Sequence, residues 1–202
     1  MKRFLLVFFS LLGSISLAQE EDIDLENTQI GCISGNCENG LGKYAWKNGD
    51  YYYGAWKLGK MDGKGTYYKS DGSIYEGFWK DSRKNGQGKL VLPNGDVYNG
   101  DFLDGYAEGF GIMLYKNGST YKGNWKYNKR DGHGVMNFHT GERYVGEYKS
   151  GMRHGKGRFT YGNGENYNGE WLYGEMEGQG TYTYLDGSQS TGIWANGEIV
   201  KE

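Results

Sequence analysis

The segment that decides the fold runs from Tyr75 to Val97 and reads YEGFWKDSRKNGQGKLVLPNGDV. It returns in altered form along most of the chain, with an unvarying period of 23 residues. With Tyr75 as position 1 of the repeat, the same position holds a tyrosine in five further units: Tyr52, Tyr98, Tyr121, Tyr144 and Tyr167. A fixed period of this length indicates a repeat protein, in which each unit rests on its neighbours.

Two further positions keep their residue type through the array. Position 3 is glycine in Gly54, Gly77, Gly100, Gly123, Gly146, Gly169 and Gly192. Position 5 is aromatic in Trp56, Trp79, Phe102, Trp125, Tyr148, Trp171 and Trp194. This alternation has a period of two, which is typical of a β-strand, and positions 12, 14, 16 and 18 alternate in the same way. Pairs such as Asn94-Gly95 between the runs are the strongest short-range signal of a hairpin. The predicted fold class is therefore all-β, an elongated antiparallel sheet of tandem 23-residue β-hairpin repeats.

The lengths of the two connections follow from the need to keep aromatic residues on one face. A three-residue loop between units places the position 1 tyrosine opposite the apolar position 16, whereas a two-residue turn places it opposite position 17, which is polar in half of the units. The sequence Pro93-Asn94-Gly95 suits the three-residue loop. Within each unit we predict a four-residue loop, which sets position 5 opposite the position 12 glycine. About 14 strands at a spacing of roughly 4.8 Å give a ribbon about 70 Å long.

The composition excludes disorder and argues against strong electrostatic partners. The 202 residues include 37 Gly and 19 Tyr, and the 16% aromatic content is far above that of disordered chains. Without Lys2 and Arg3, the remainder carries 21 basic and 25 acidic residues, and five of the acids precede the repeats. The array is therefore almost neutral, which predicts no binding of nucleic acid.

Residues 1–18 have the features of a secretory signal peptide. Lys2 and Arg3 precede an apolar run, and Ser16-Leu17-Ala18 provides a small-x-small cleavage signal. The run of about 14 residues is short for a membrane span, which needs roughly 20, although an uncleaved anchor stays open as an alternative. We expect an exported protein, periplasmic or extracellular, with membrane association as the alternative. Residues 19–28 then form an acidic, flexible leader.

The repeats occupy residues 29–197. A divergent first unit covers 29–51, six full units cover 52–189, a truncated cap covers 190–197, and 198–202 form a C-terminal tail. The first unit holds both cysteines of the chain, Cys32 and Cys37, on either side of a predicted turn. In an exported protein this spacing predicts a disulfide that braces a unit with only one neighbour.

No constellation in the sequence suggests catalysis. The three histidines, His133, His139 and His154, are expected in exposed turns or between glycines, where they cannot converge on one metal. The glycine-rich stretches lack the strand–loop–helix context of a phosphate loop, and no carboxylate pair recurs. We predict a non-enzymatic protein without cofactor or metal.

Two surfaces are candidates for binding. The aromatic face is a possible stacking platform for sugars, peptides or a second copy, with packing of the rings on one another as the alternative. Its residues are Tyr52, Trp56, Tyr75, Trp79, Tyr98, Phe102, Tyr121, Trp125, Tyr144, Tyr148, Tyr167 and Trp171. On the opposite face, position 6 offers a basic stripe for anionic phospholipid, with an ordinary solvated face as the alternative. Its residues are Lys57, Lys80, Lys126 and Lys149.

The pattern Tyr-x-Gly-x-Trp-x-x-Gly-x-x-x-Gly-x-Gly, carried by 52–65 and 167–180, closely resembles the MORN (membrane occupation and recognition nexus) repeat. The resemblance covers roughly residues 29–197 and implies hairpin arrays that act as non-catalytic modules for protein interaction, self-association and phospholipid contact. Ser82 and Asn128 depart from the pattern at position 8, as do Phe102 and Tyr148 at position 5. The signal peptide is a larger departure, since many members are cytoplasmic. We expect an exported scaffold for protein partners, including a homodimer, with phospholipid or cell-envelope glycan binding as the alternative.

Overall fold

The computed structural model describes residues 29–201, so the predicted signal peptide and acidic leader lie outside the described residues. The described chain forms one antiparallel sheet of sixteen strands, in which spatial order follows chain order. The strands are β1 (Gly31–Gly35), β2 (Asn39–Ala45), β3 (Tyr51–Lys57), β4 (Lys60–Tyr68), β5 (Ile74–Lys80), β6 (Arg83–Val91), β7 (Val97–Leu103), β8 (Tyr106–Leu114), β9 (Thr120–Lys126), β10 (Lys129–Asn137), β11 (Arg143–Lys149), β12 (Met152–Thr160), β13 (Asn166–Leu172), β14 (Glu175–Thr183), β15 (Gln189–Ala195) and β16 (Glu198–Lys201). Between residues 29 and 201 there is no helix that could cross a membrane. The predicted all-β hairpin array is confirmed.

The loop between units has the predicted length of three residues. The Leu92 N–H donates to the Asp96 carbonyl at 2.8 Å, and the Gly95 N–H donates to the Leu92 carbonyl at 2.9 Å. Gly95 has φ +90°, a left-handed conformation that glycine adopts without steric cost. As predicted, Tyr98 lies opposite Leu90, the residue at position 16 of the preceding unit.

The connection within a unit differs from the predicted four-residue loop. Lys80 pairs with Arg83, which leaves a two-residue turn formed by Asp81 and Ser82, with φ values of 47° and 63°. Two positive φ angles define the type I′ turn, whose twist matches that of the flanking strands. The four-residue loop was wrong because it assumed that the two strands pair without a β-bulge.

A β-bulge restores the common face after this short turn. The register of β5 and β6 shifts between Gly77 and Trp79, and Gly86 in the bulge has φ +90°. Trp79 consequently lies opposite Lys84, at position 10, instead of opposite Gly86. Gly86 lies opposite Phe102 of the next unit, so the predicted pairing of position 5 with position 12 exists only between units.

The two ends of the sheet add strands beyond the expected 14. The first unit contributes β1 and β2, and Cys32 and Cys37 are joined by a disulfide with a Cα–Cα distance of 5.9 Å. The last strand, Glu198–Lys201, lies within residues 198–202, which were expected to form a C-terminal tail. It pairs with β15, so the sheet extends to Lys201.

Tyrosine rings lying on paired glycines form the basic contact of the sheet. Tyr75 is 2% exposed, and Gly77 lies opposite Gly88 beneath its ring. A Cβ atom on Gly77 would lie 2.5 Å from the Tyr75 hydroxyl and 2.7 Å from the Gly88 Cα. The Tyr75 hydroxyl donates a hydrogen bond of 3.0 Å to the Phe78 carbonyl. Phe78 lies at the bulge and has no paired residue on β6. The glycines are therefore needed for space, because any side chain there would displace the ring.

The aromatic residues at position 5 link one tyrosine to the next. Tyr75 makes edge-to-face contacts with Trp79 of its own unit, at 5.1 Å between ring centroids, and with Phe102 of the next unit, at 5.0 Å. The same alternation continues from Tyr52 to Trp194. These rings form the core of the protein on what we call the front face, and the opposite side of the sheet is the back face.

Replacing a glycine beneath a tyrosine should destabilise the array. We expect Gly77→Ala or Gly88→Ala to lower the free energy of unfolding by about 2 to 3 kcal/mol, since the new methyl group overlaps the Tyr75 ring. Denaturant unfolding followed by circular dichroism measures the effect. Gly162→Ala is the matched control, because its Cβ would meet only the Thr140 carbonyl oxygen, at 3.3 Å. Equal stability of all three variants would contradict the proposed role of the glycines.

The buried tyrosines predict a loss of stability in alkaline solution. Desolvation by burial raises the pKa of Tyr52 and of Tyr167 to about 12, above the value of about 10 for an unfolded tyrosine. The protonated phenol is thus favoured in the folded state, so this stability is fully present below pH 10 and is lost as the pH rises through 12. Tyrosinate absorbance and circular dichroism, recorded together, should show these rings ionising only as the sheet unfolds. Complete ionisation with an intact sheet would contradict the prediction.

Candidate partner-binding surfaces

The twelve rings predicted as a binding surface form the core of the front face. Each of them is at most 7% exposed. Their polar groups are also used internally: the Trp79 Nε1 donates to the Gly65 carbonyl of the preceding unit at 3.2 Å. These rings therefore pack against one another in the core. Direct contact between them and a ligand stays a prediction.

The indole hydrogen bond joins neighbouring units wherever position 5 is tryptophan. The donors are Trp56, Trp79, Trp125, Trp171 and Trp194, and each acceptor is the carbonyl of the position 14 glycine in the preceding unit. Phe102 has no indole N–H with which to make this bond. The departure of Phe102 from the repeat pattern therefore removes one link between units.

Exchanging the residues at position 5 should shift stability in both directions. We expect Trp79→Phe to lower the free energy of unfolding by about 2 kcal/mol, because it leaves the buried Gly65 carbonyl without its donor. Phe102→Trp should raise it by about 1 kcal/mol by forming the missing bond to Gly88. Denaturant titration of both variants provides the measurement. The idea is refuted if Trp79→Phe is as stable as the parent chain.

On the front face, the bulge sets position 10 opposite position 5, and its side chain is partly exposed in four units and buried at Met61 and Ala107. This position holds Met61, Lys84, Ala107, Arg130, Arg153 and Met176. The Lys84 ammonium lies 5.1 Å from the Tyr75 ring centroid, and the Arg153 guanidinium lies 4.2 Å from that of Trp171. Burial lowers the pKa of Lys84 and of Arg153. Sequence reasoning missed these cations, since only the bulge reveals which face they occupy.

Two open cavities lie on this face beside the cations. One, of about 430 Å³, is lined by Arg130, Phe138, Tyr148, Arg153 and Phe159, among others. The other, of about 550 Å³, is lined by a set that includes Lys84, Trp79, Leu90, Leu92 and Pro93. Both combine aromatic or aliphatic walls with a positive charge, a composition that suits an apolar ligand bearing an anionic group.

The back face carries an apolar row along only half of its length. The row crosses six strands through residues that lie opposite one another in register: Tyr51, Tyr68, Ile74, Val91, Val97 and Leu114. We call this row the back strip. The same row continues with polar residues: Thr120, Asn137, Arg143, Thr160, Asn166, Thr183 and Gln189. Exposed Tyr53 and Phe78 lie near the strip on the same face. An apolar patch confined to one end of a ribbon is typical of an interaction surface.

The predicted basic stripe lies at the edge that carries the two-residue turns. Lys57, Lys80, Lys126 and Lys149 are all exposed there. Acidic neighbours partly neutralise this edge: the Lys80 Nζ lies 3.5 Å from Asp62, and the Lys60 Nζ lies 3.0 Å from Asp81. Phospholipid contact by the stripe stays a prediction.

The three histidines lie apart from any metal-binding group in the described residues. Within 29–201 there is no cluster of three or more His, Cys, Asp or Glu that could hold a metal ion. His133 and His154 belong to β10 and β12, and only His139 lies in a loop. His154 is partly buried, contrary to the exposed turn expected for it, and its Nδ1 has no hydrogen-bond partner in the described part of the chain.

Comparison with protein families supports the repeat unit that the geometry defines. The MORN repeat model matches residues 34–51, 52–74, 75–97, 98–120, 121–143, 144–165 and 167–189. The chain belongs to the MORN repeat family. In this MORN protein the family positions 1, 3 and 5 are therefore the tyrosine, the glycine and the aromatic residue of the front-face core.

Other comparisons concern curated proteins and solved structures. No curated protein matches this MORN protein. One similar solved structure is the TCP domain of SAS-4 (dCPAP) of Drosophila melanogaster in complex with a proline-rich motif of Ana2 (dSTIL), with 15% identity, a TM-score of 0.46, and coverage of 87% of this chain and 96% of that one. Another is the wild-type TCP10 domain of Danio rerio CPAP, with 17% identity, a TM-score of 0.36, and coverage of 76% and 84%.

Proposed function

We propose that this MORN protein is an exported, non-enzymatic scaffold that binds other proteins and associates with a second copy of itself. The observation that carries the proposal is the back strip, an uninterrupted apolar row on the units from Tyr51 to Leu114. Six strands at a spacing of about 4.8 Å give this row a length of about 24 Å. Leu114 is exposed and the other five side chains are partly exposed, so a partner that covers the strip would bury further apolar area.

A second copy of the chain fits this surface. A two-fold axis through the middle of the strip would place apolar residues against apolar residues, as in a self-complementary dimer interface. The stacked rings of Tyr51 and Tyr68, 4.3 Å apart, give the end of the strip a flat aromatic surface. The polar row that begins at Thr120 would then remain in solvent.

The remaining parts of the proposal have separate support. The Cys32–Cys37 disulfide suits an oxidising compartment outside the cytoplasm, in agreement with the predicted signal peptide. A non-enzymatic role agrees with the use of the recurring aromatic positions in packing. The glycan alternative has less support because its stacking rings are buried, and the phospholipid alternative has less because acidic residues offset the basic stripe.

Polar substitutions on the back strip should abolish the dimer without disturbing the fold. We expect light scattering of residues 29–202, which lack the acidic leader, to show a dimer, and the triple variant Ile74→Thr, Val91→Thr, Val97→Thr of the same residues to show a monomer. Threonine suits these positions, since Thr120 and Thr160 occupy the same row further along the sheet.

The control changes two valines elsewhere on the back face, Val135→Thr and Val145→Thr, and should leave the dimer intact. Circular dichroism should show the same sheet content for both variants. A parent chain that stays monomeric at every concentration, or a dimer that survives the triple substitution, would contradict self-association through the strip.

A further inference from the structure

Arg130 and Arg153 hold a pair of guanidinium groups on the front face, one repeat apart. One Nη of Arg130 donates to the Gly151 carbonyl at 2.7 Å, and one Nη of Arg153 donates to the Gly174 carbonyl at 2.6 Å. The Arg130 group also lies 5.0 Å from the centroid of the Tyr148 ring. These contacts fix both side chains. Each hydrogen bond uses one Nη group, so most of the five N–H donors of each guanidinium remain available to a ligand.

The positive charge of the pair is not neutralised by an ion pair among residues 29–201. Glu142 also lines the cavity, and the hydrogen bond from the Thr140 hydroxyl lowers the pKa of its carboxyl group, so it is an anion there without an ion pair to either arginine. The lining therefore holds two fixed cations and one carboxylate, and the net positive charge is available to an external anion.

The cavity also offers apolar surface beside the charges. Phe138, Tyr148 and Phe159 contribute aromatic walls to its volume of about 430 Å³. Guanidinium groups bind carboxylates through paired hydrogen bonds, and aromatic walls bind aliphatic side chains. The combination suits an acidic peptide that also carries aliphatic residues.

Such a peptide occurs in the chain itself, in residues 19–28, QEEDIDLENT. This leader contains five acidic residues, Glu20, Glu21, Asp22, Asp24 and Glu26, together with Ile23 and Leu25. Arg130 and Arg153 lie two strands apart, or about 10 Å. Side chains on the same side of an extended peptide are about 7 Å apart at i and i+2 and about 13 Å apart at i and i+4, and Asp22, Asp24 and Glu26 have these spacings.

The leader cannot reach the cavity of its own chain. It ends beside β1, whereas Arg130 lies in β10, nine strand spacings or about 43 Å away. The acidic residues from Asp22 to Glu26 precede Gly31, the first residue of β1, by at most nine residues, and nine extended residues span at most about 32 Å. Any such contact must therefore join two molecules.

We propose that the acidic leader of one copy docks into the arginine cavity of a second copy. The inference deepens the proposed self-association and rests on it, but it uses a different surface from the back strip. The contact is head-to-tail, so repeated use would extend the assembly beyond a dimer.

Binding of a labelled peptide of residues 19–28 tests this contact. The receptor is the chain from Gln19 onward with its own leader neutralised by Glu20→Gln, Glu21→Gln, Asp22→Asn, Asp24→Asn and Glu26→Gln. Fluorescence anisotropy should show binding that weakens as salt is added. Arg130→Met with Arg153→Met should weaken it at least about tenfold. Methionine already occupies this position as Met61 and Met176, so the fold should be retained.

The matched control is Lys64→Met with Lys89→Met, which removes two exposed cations from the back face, away from both cavities, and it should leave peptide binding unchanged. Equal binding by the double arginine variant, or no binding at millimolar peptide, would overturn the proposal. The back-strip variant of the leader-neutralised receptor separates the two proposals. It should lose the dimer and keep peptide binding, whereas absent peptide binding with an intact dimer would refute only the leader contact.

Discussion

The structure depends on one contact, in which the ring of a position 1 tyrosine covers two glycines that face each other on adjacent strands. Tyr75 over Gly77 and Gly88 is representative: the ring has room only because neither residue has a side chain. The contact explains how a single sheet can be stable without a second layer packed on it in the described residues. Each tyrosine is enclosed by the aromatic residues of two units, so the core passes continuously from one repeat to the next.

Much of this arrangement follows from the sequence, because the fixed positions encode it. The three-residue loop could be predicted from Pro93-Asn94-Gly95 and from the need to face Tyr98 with Leu90. The two-residue turn could not, since its first residue takes a positive φ without being glycine, as at Leu58 and Tyr173, and the second is also not glycine at Ser82 and Asn128. In the sequence the position 12 glycine resembles an ordinary strand residue, whereas in the structure its positive φ marks the bulge. The choice between a two-residue turn with a bulge and a four-residue loop without one depends on how whole strands pair, which the local sequence of the turn does not determine.

The functional surfaces were harder to predict than the fold. The recurring aromatic rings attract attention in the sequence, yet their regularity reflects packing, and they are buried. The side chains that differ between units lie at the variable positions. Position 10 holds Arg130 and Arg153 in two units but Met61 and Met176 in two others, and position 17 holds Val91 in one unit and Thr160 in a later one. Position 10 could be assigned to the front face only once the bulge was known. In this protein the fixed positions form the ribbon, and the variable positions distinguish one region of its surface from another.

The central claim is that the tyrosine and glycine contacts form one continuous core along the repeats. Amide hydrogen exchange of the chain from Gln19 onward, resolved by residue, tests it most directly. Strand amides of every unit between residues 52 and 189 should exchange slowly, with faster exchange in the loops and at the two terminal strands. Slow exchange confined to two or three units, with rapid exchange in the strands of the others, would contradict a continuous core.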